Sequence, residues 1–254
     1  MTGRLTVVGL GPGPERWITP AASAALDAAT DVVGYGPYLA RLPAKPGRVL
    51  HASDNRVELE RAQHALTLAA EGRAVVVASG GDPGVFAMAA AVFEAIEAGP
   101  AAWRALEVVV EPGVTAMLAA AARLGAPLGH DFAAVSLSDN LKPWDVVLKR
   151  LRLASEADFV LALYNVASRA RPHRLAEAFA ALGEIRAAET PVVFARAVGR
   201  PDEAITICRL DEAAGMVADM ATLVIVGSSQ TRVIERPVGP AVYTPRSYGV
   251  GHEV

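Results

Sequence analysis

Cysteine is almost absent from the chain: Cys208 is the only one in 254 residues. A disulfide framework and a multi-thiolate metal site are thereby excluded. Cys208 lies in the strand-like run Ala204-Ile205-Thr206-Ile207-Cys208 and reads as a small buried hydrophobe, not a nucleophile. Long apolar runs are missing as well. No stretch approaches the ~20 residues of a membrane span, and the apolar part of the N-terminus is too short for a secretion signal. A cytoplasmic protein with no membrane partner is expected. Excess basic charge is also lacking. The formal net charge is -3, which argues against nucleic acid as a partner. There is no H-E-x-x-H, no serine nucleophile elbow and no Walker loop. The five histidines, His51, His64, His130, His173 and His252, are scattered, so no metal site is expected.

What is present is a globular composition, 52% hydrophobic and 20% charged. The length suits one large domain or two of about 125 residues. Val75 to Ala78 are apolar without alternation and rich in β-branched residues, the mark of a strand buried on both faces. The run stops at Ser79-Gly80-Gly81-Asp82-Pro83-Gly84, and a helical pattern follows from about Val85 to Ala98. Asp82 then stands just past a strand's carboxyl end, where open α/β sheets bind small ligands. It also suits a helix N-cap with Pro83 at the first helical position, and the two readings stand side by side.

The same grammar recurs. Leu5 to Gly9 read as a strand ending in Gly9-Leu10-Gly11-Pro12-Gly13-Pro14. Thr19-Pro20 then cap a helix that runs to Ala29, and Asp31 to Tyr35 make a second strand. This is the βαβ unit of a parallel sheet. Arg56 to Glu71 are helical, with Leu59, Ala62, Leu66 and Ala69 on one stripe and Gly72 as C-cap. Glu107 to Val110 form another strand, broken by Glu111-Pro112-Gly113 before a helix over Val114 to Leu124. In a parallel sheet the three Gly-rich turns share one edge. A dinucleotide reading fails in detail, because Pro14 replaces the third glycine of G-x-G-x-x-G and no helix opens there.

Gly125 to Gly129 read as a linker. Strands follow at Phe132–Leu137 and Asp158–Tyr164, and helices at Trp144–Leu153 and His173–Leu182. Pro191–Ala195, Ala204–Cys208 and Thr222–Val226 are closely spaced strands, which suggests antiparallel pairing. The tail after Arg236 reads as extended. Arg169, Arg171 and Arg200 stand near strand ends, where guanidinium forks could clamp carboxylates or simply be solvated.

Val8-Gly9-Leu10-Gly11-Pro12-Gly13, Ser79-Gly80-Gly81-Asp82-Pro83 and Pro112-Gly113-Val114-Thr115-Ala116, in this order, resemble the tetrapyrrole (corrin/porphyrin) methyltransferases. Within that family, Gly129-His130-Asp131-Phe132, Ser136-Leu137-Ser138-Asp139, Pro143-Trp144 and Tyr164-Asn165 followed by Ser168-Arg169 are similar to the branch that methylates C17 of precorrin-3B and contracts the ring. The resemblance covers essentially the whole chain. It implies an α/β protein of two domains, 1–124 with a mostly parallel sheet and 130–254 with a mixed sheet, and a homodimer. It also implies S-adenosyl-L-methionine as methyl donor, with S-adenosyl-L-homocysteine as product, held in a cleft between the domains. Pro12, Gly80, Gly81, Asp82, Val85, Phe86, Thr115 and Ala116 would line the donor, with Asn165 and Val198 closing on it. Ser136, Ser138, Asp139, Arg169 and Arg171 would meet the tetrapyrrole. Asp139 and His130 are the candidates for a general base in ring contraction. A sister corrin methyltransferase with another target carbon, such as C11 of precorrin-4, stays open as an alternative. So do a nucleotide-dependent oxidoreductase and a non-catalytic sensor on the same scaffold.

Overall fold

Leu5, Val7 and Val8 have no exposed surface at all, and the first sheet is built around them. The computed structural model describes residues 3–54, 57–168 and 170–248. It consists of two compact units, Met1–Ala116 and Met117–Val254.

In the first unit the elements are β1 (Arg4–Gly9), α1 (Pro20–Ala28), β2 (Asp31–Tyr35), α2 (Gly36–Leu39), β3 (Val49–Ser53), α3 (Glu58–Ala70), β4 (Ala74–Ser79), α4 (Met88–Ala98) and β5 (Glu107–Glu111). The strands lie in the order β3-β2-β4-β1-β5, and every pairing is parallel. Alternate residues of the central strands enter two cores. Leu5, Val7, Val33, Val75 and Val77 pack with Ala62, Ala65 and Leu66 of α3 and Met88 and Val92 of α4. Val8, Val32, Val76 and Ala78 pack with Ala22 and Leu26 of α1. Strands buried on both faces favour apolar residues on both, so β1 and β4 carry no polar alternation, and Thr6 is the one polar residue in the interior of β1. Each fully buried Val or Leu contributes about 1.5–3 kcal/mol.

Local signals explain the helix ends. Thr19 accepts a hydrogen bond from the Ala22 N–H at 3.2 Å, and Pro20 begins α1. Gly72 has φ +88° and closes α3, as expected. The stripe on α3 differs in one member: Leu59 is exposed, while Ala62, Leu66 and Ala69 are buried. The expected first residue of that helix, Arg56, lies outside the described residues. α4 starts at Met88 and not at Val85, because Phe86 has φ +52° and the chain still turns there. Asp82 is therefore no N-cap of α4. Ala87 occupies that place, without a side-chain bond.

α5 (Ala116–Leu124) opens at the boundary between the units. The second unit continues with β6 (Gly125–Ala126), β7 (Phe132–Ser136), α6 (Trp144–Glu156), β8 (Val160–Tyr164), α7 (Arg174–Gly183), β9 (Pro191–Arg196), β10 (Ala204–Arg209), α8 (Leu210–Ala213), β11 (Thr222–Val226), β12 (Arg232–Ile234) and β13 (Ala241–Tyr243). Its main sheet has the order β10-β9-β11-β8-β7. β7 and β8 are parallel, and β11 is antiparallel to both β8 and β9. The sheet is mixed, as expected, and β7, β8 and β9 run the same way. Leu161, Leu163, Phe194 and Val224 pack with Val147 and Leu151 of α6 and Phe179 and Leu182 of α7. The expected linker after α5 is not free chain. Gly125 and Ala126 pair with Val242 and Tyr243 of β13, which ties down the tail.

Candidate functional site

The three Gly-rich turns follow β1, β4 and β5, which are neighbours in a parallel sheet. They emerge side by side at its carboxyl edge, where such sheets bind ligands. The backbones are bonded to one another. Leu10 N–H donates to Ser79 O at 2.9 Å, and Gly11 N–H donates to Gly81 O at 3.1 Å. A Cβ on Gly113 would lie 2.4 Å from Gly81 O and 2.8 Å from Gly9 Cα, so two glycines are required where the chains cross. Asp82 is the staple. Its Oδ1 accepts from Gly84 N–H at 2.8 Å and its Oδ2 from Gly113 N–H at 2.9 Å. Each oxygen still has lone-pair capacity for a further donor.

Pro12, Gly80, Gly81, Asp82, Thr115 and Ala116 are thus brought to one edge of the first unit. Val85 and Phe86 follow in the same turn, with Phe86 half exposed. Two supports have no motif in the sequence. Arg41, just after α2, donates to the carbonyls of Leu10 (3.0 Å), Gly11 (3.1 Å) and Gly13 (2.7 Å) and so braces the first turn. Thr19 donates to Pro112 O at 3.3 Å. No helix opens at Gly9–Pro14. A short 3-10 turn, Glu15–Trp17, intervenes before α1, in keeping with the failed dinucleotide fingerprint.

The second unit has its own polar edge, at the carboxyl ends of β7 and β8. Ser136 Oγ accepts from Asn165 Nδ2 at 2.9 Å and from Ser138 N–H at 3.3 Å. Asp139 bonds Arg174, Nη2 at 2.8 Å and Nε at 2.9 Å, and stands 3.5 Å from Arg171 Nε. Burial pushes the Asp139 carboxyl up, but the Arg174 hydrogen bond and the two guanidinium charges outweigh it and hold the carboxyl below its ordinary range. Such an anion is a poor proton acceptor. Arg171 donates to Leu137 O at 2.9 Å, and Arg174 stacks over the Trp144 ring at 4.6 Å. Arg174 has no signal in the sequence beyond being one more arginine. Arg169 lies outside the described residues.

His130 does not join this group. It precedes β7, at the sheet edge opposite Ser136, where its Nδ1 accepts from Asp131 N–H at 2.8 Å and its ring meets Tyr248 edge-on. The two candidate bases therefore stand at opposite ends of one strand. Val198 is buried in the turn after β9, on the same edge as Asn165. Asn165 (φ +53°), Ala197 (φ +50°) and Phe86 (φ +52°) are non-glycine residues in the left-handed region, each past a strand's carboxyl end. Strain of about 1–2 kcal/mol at such positions is typical of ligand-binding turns.

Residues 4–214 match the family model described as tetrapyrrole (corrin/porphyrin) methylases. The chain belongs to that family. This tetrapyrrole methylase is 60% identical over 249 residues to the precorrin-3B C(17)-methyltransferase of Sinorhizobium sp, covering 98% of each chain. Among solved structures it is similar to the methyltransferase CobJ, with TM-score 0.91 and 54% identity, covering 96% of this chain and 100% of that one. It is also similar to uroporphyrin-III C-methyl transferase from Thermus thermophilus in complex with S-adenyl homocysteine. There the TM-score is 0.69 and the identity 25%, over 89% of this methylase and 97% of that chain. The methylase is thus a methyl-transferring enzyme with the α/β fold of the family. Among the described residues no helix is long and apolar enough to cross a membrane.

Proposed function

We propose that this methylase transfers the methyl group of S-adenosyl-L-methionine to C17 of precorrin-3B, with ring contraction to precorrin-4, in cobalamin biosynthesis. The observation that carries this reading is the 60% identity with a precorrin-3B C(17)-methyltransferase along 98% of both chains. It goes with the presence of a Gly-rich edge on the first unit and of an arginine-bearing edge on the second.

The first edge fits the methyl donor. A Cβ on Gly81 would meet nothing closer than 3.9 Å, so there is room there beside Val114 and Thr115. Asp82 offers anionic lone pairs suited to ribose hydroxyls or an ammonium group. Pro12, Gly80, Gly81, Asp82, Val85, Phe86, Thr115 and Ala116 would hold it. Bound there, S-adenosyl-L-methionine supplies a methyl group on a positively charged sulfur, an already good leaving group. What the chain adds is position: turns hydrogen-bonded to one another, and glycines that let a ligand approach the backbone. No acid–base pair is needed for that step.

The second edge fits the carboxylates of a tetrapyrrole. Arg171 is oriented by Leu137 O and Asp139, and Ser136 and Ser138 present polar groups beside it. In this reading Asp139 sets the arginines and does not take the ring-contraction proton. A homodimeric state and a cytoplasmic location belong to the same reading, and light scattering and cell fractionation test them.

Incubation with precorrin-3B and methyl-labelled donor, read by mass spectrometry and carbon NMR, tests the proposal. One added methyl at C17 is expected. A methyl at another carbon, or none, overturns it.

A further inference from the structure

Away from the Gly-rich turns, β3 and α3 bring two histidines together. His51 Nδ1 and His64 Nε2 are 3.1 Å apart, with ring centroids 4.9 Å apart and planes inclined by 62°. On its other side the His51 ring meets Asp31, Nε2 to Oδ1, at 2.8 Å. Asp31 is 2% exposed and also accepts from Thr30 Oγ1 at 2.8 Å and Arg73 Nη1 at 2.9 Å. A carboxylate beside an arginine accepts and does not donate. The His51 proton is therefore on Nε2, and Nδ1 turns a lone pair toward His64.

We propose that His51 Nδ1 and His64 Nε2 form a binding site for one divalent transition-metal ion of the zinc or nickel class. Imidazole nitrogen suits these ions. Two metal–nitrogen bonds of about 2.0–2.1 Å at an angle near 100° span about 3.1 Å, so the present nitrogen–nitrogen distance suits two ligands of one ion, and the rings need only rotate toward it. The ion replaces the proton now lying between the rings. His64 keeps its single proton by carrying it on Nδ1, so both ligands stay neutral and no proton is lost. Asp31 then occupies the outer position of a carboxylate–histidine–metal triad, which fixes the ring's tautomer and raises its basicity. His51 is anchored through Asp31 to Arg73 and Thr30, while His64 is on the exposed face of α3 and can adjust. Among the described residues no group of three or more His, Cys, Asp or Glu side chains is placed to hold a metal. Water completes this coordination sphere, and the site is weaker than a structural zinc site.

Titration of the metal-free full chain with zinc chloride, followed by calorimetry, tests the site. One ion per chain is expected, with at least a tenfold loss of affinity in His64→Gln. That exposed substitution should leave the thermal melt unchanged. In proton NMR of the wild type, the His51 and His64 ring signals, of the five histidines, should move together up to one equivalent. Undiminished zinc binding in His64→Gln, no binding by the wild type, or movement of other histidine signals alone would overturn the proposal.

Discussion

At Gly113 a single added carbon decides whether the three turns can lie side by side. Its Cβ would stand 2.4 Å from Gly81 O, against backbone that cannot swing away. Gly113→Ala should lose about 1–3 kcal/mol of stability by overpacking, read as a lower urea midpoint, and should weaken donor binding. Asp82→Ala removes the acceptor of both Gly84 N–H and Gly113 N–H. Unsatisfied donors cost about 1–3 kcal/mol, and calorimetry with S-adenosylhomocysteine should show markedly weaker binding. Unchanged affinity would leave Asp82 a staple only. Asp139→Asn should raise the KM for the tetrapyrrole, because Arg171 and Arg174 lose the charge that holds them, with donor affinity unchanged. A fall in kcat alone, with a shifted pH profile, would restore Asp139 as a base.

At the scale of elements, α1 begins where its sequence says. Thr19→Ala should cost about 0.5–2 kcal/mol in a thermal or denaturant melt, and Thr19→Ser should recover most of it. Thr19 also donates to Pro112 O, so part of any loss belongs to the turn after β5. β3 has no signal of comparable strength. It is an edge strand with Val49 and Leu50 exposed, so burial imposes no apolar run on it. The central strands β1, β2 and β4 were legible for the opposite reason. The late start of α4 was hidden, because Pro83 and Asp82 match a helix start in composition while their bonds serve a turn.

For the molecule as a whole, acid should act through paired carboxylates. Burial raises Asp139, Asp158 and Asp219, but partners lower them further: Arg174 for Asp139, Ser229 for Asp158 and Arg196 for Asp219. A carboxyl with a depressed folded pKa contributes stability above its unfolded value of about 3.9 and loses it as pH falls toward the folded value. The urea midpoint should therefore be flat from neutral pH to about 4 and fall below it. A decline that sets in near pH 6 would point to histidines instead. The family motifs, the parallel sheet and the three Gly-rich turns were readable from residue order, while the mixed sheet followed only from the family resemblance. The partners of Asp82, the brace from Arg41 and the link of Arg174 to Asp139 were not.

By itself the sequence determined which segments are buried strands, where glycines interrupt them, that Thr19 caps α1 and that Gly72 closes α3. Those properties depend on burial and backbone freedom over a few neighbouring residues. Only the tertiary structure decided that Gly9, Gly81 and Gly113 touch, that Arg174 reaches Asp139, and that His51 faces His64. Those facts depend on strand order and register, which place residues tens of positions apart within hydrogen-bonding distance and leave no local pattern behind.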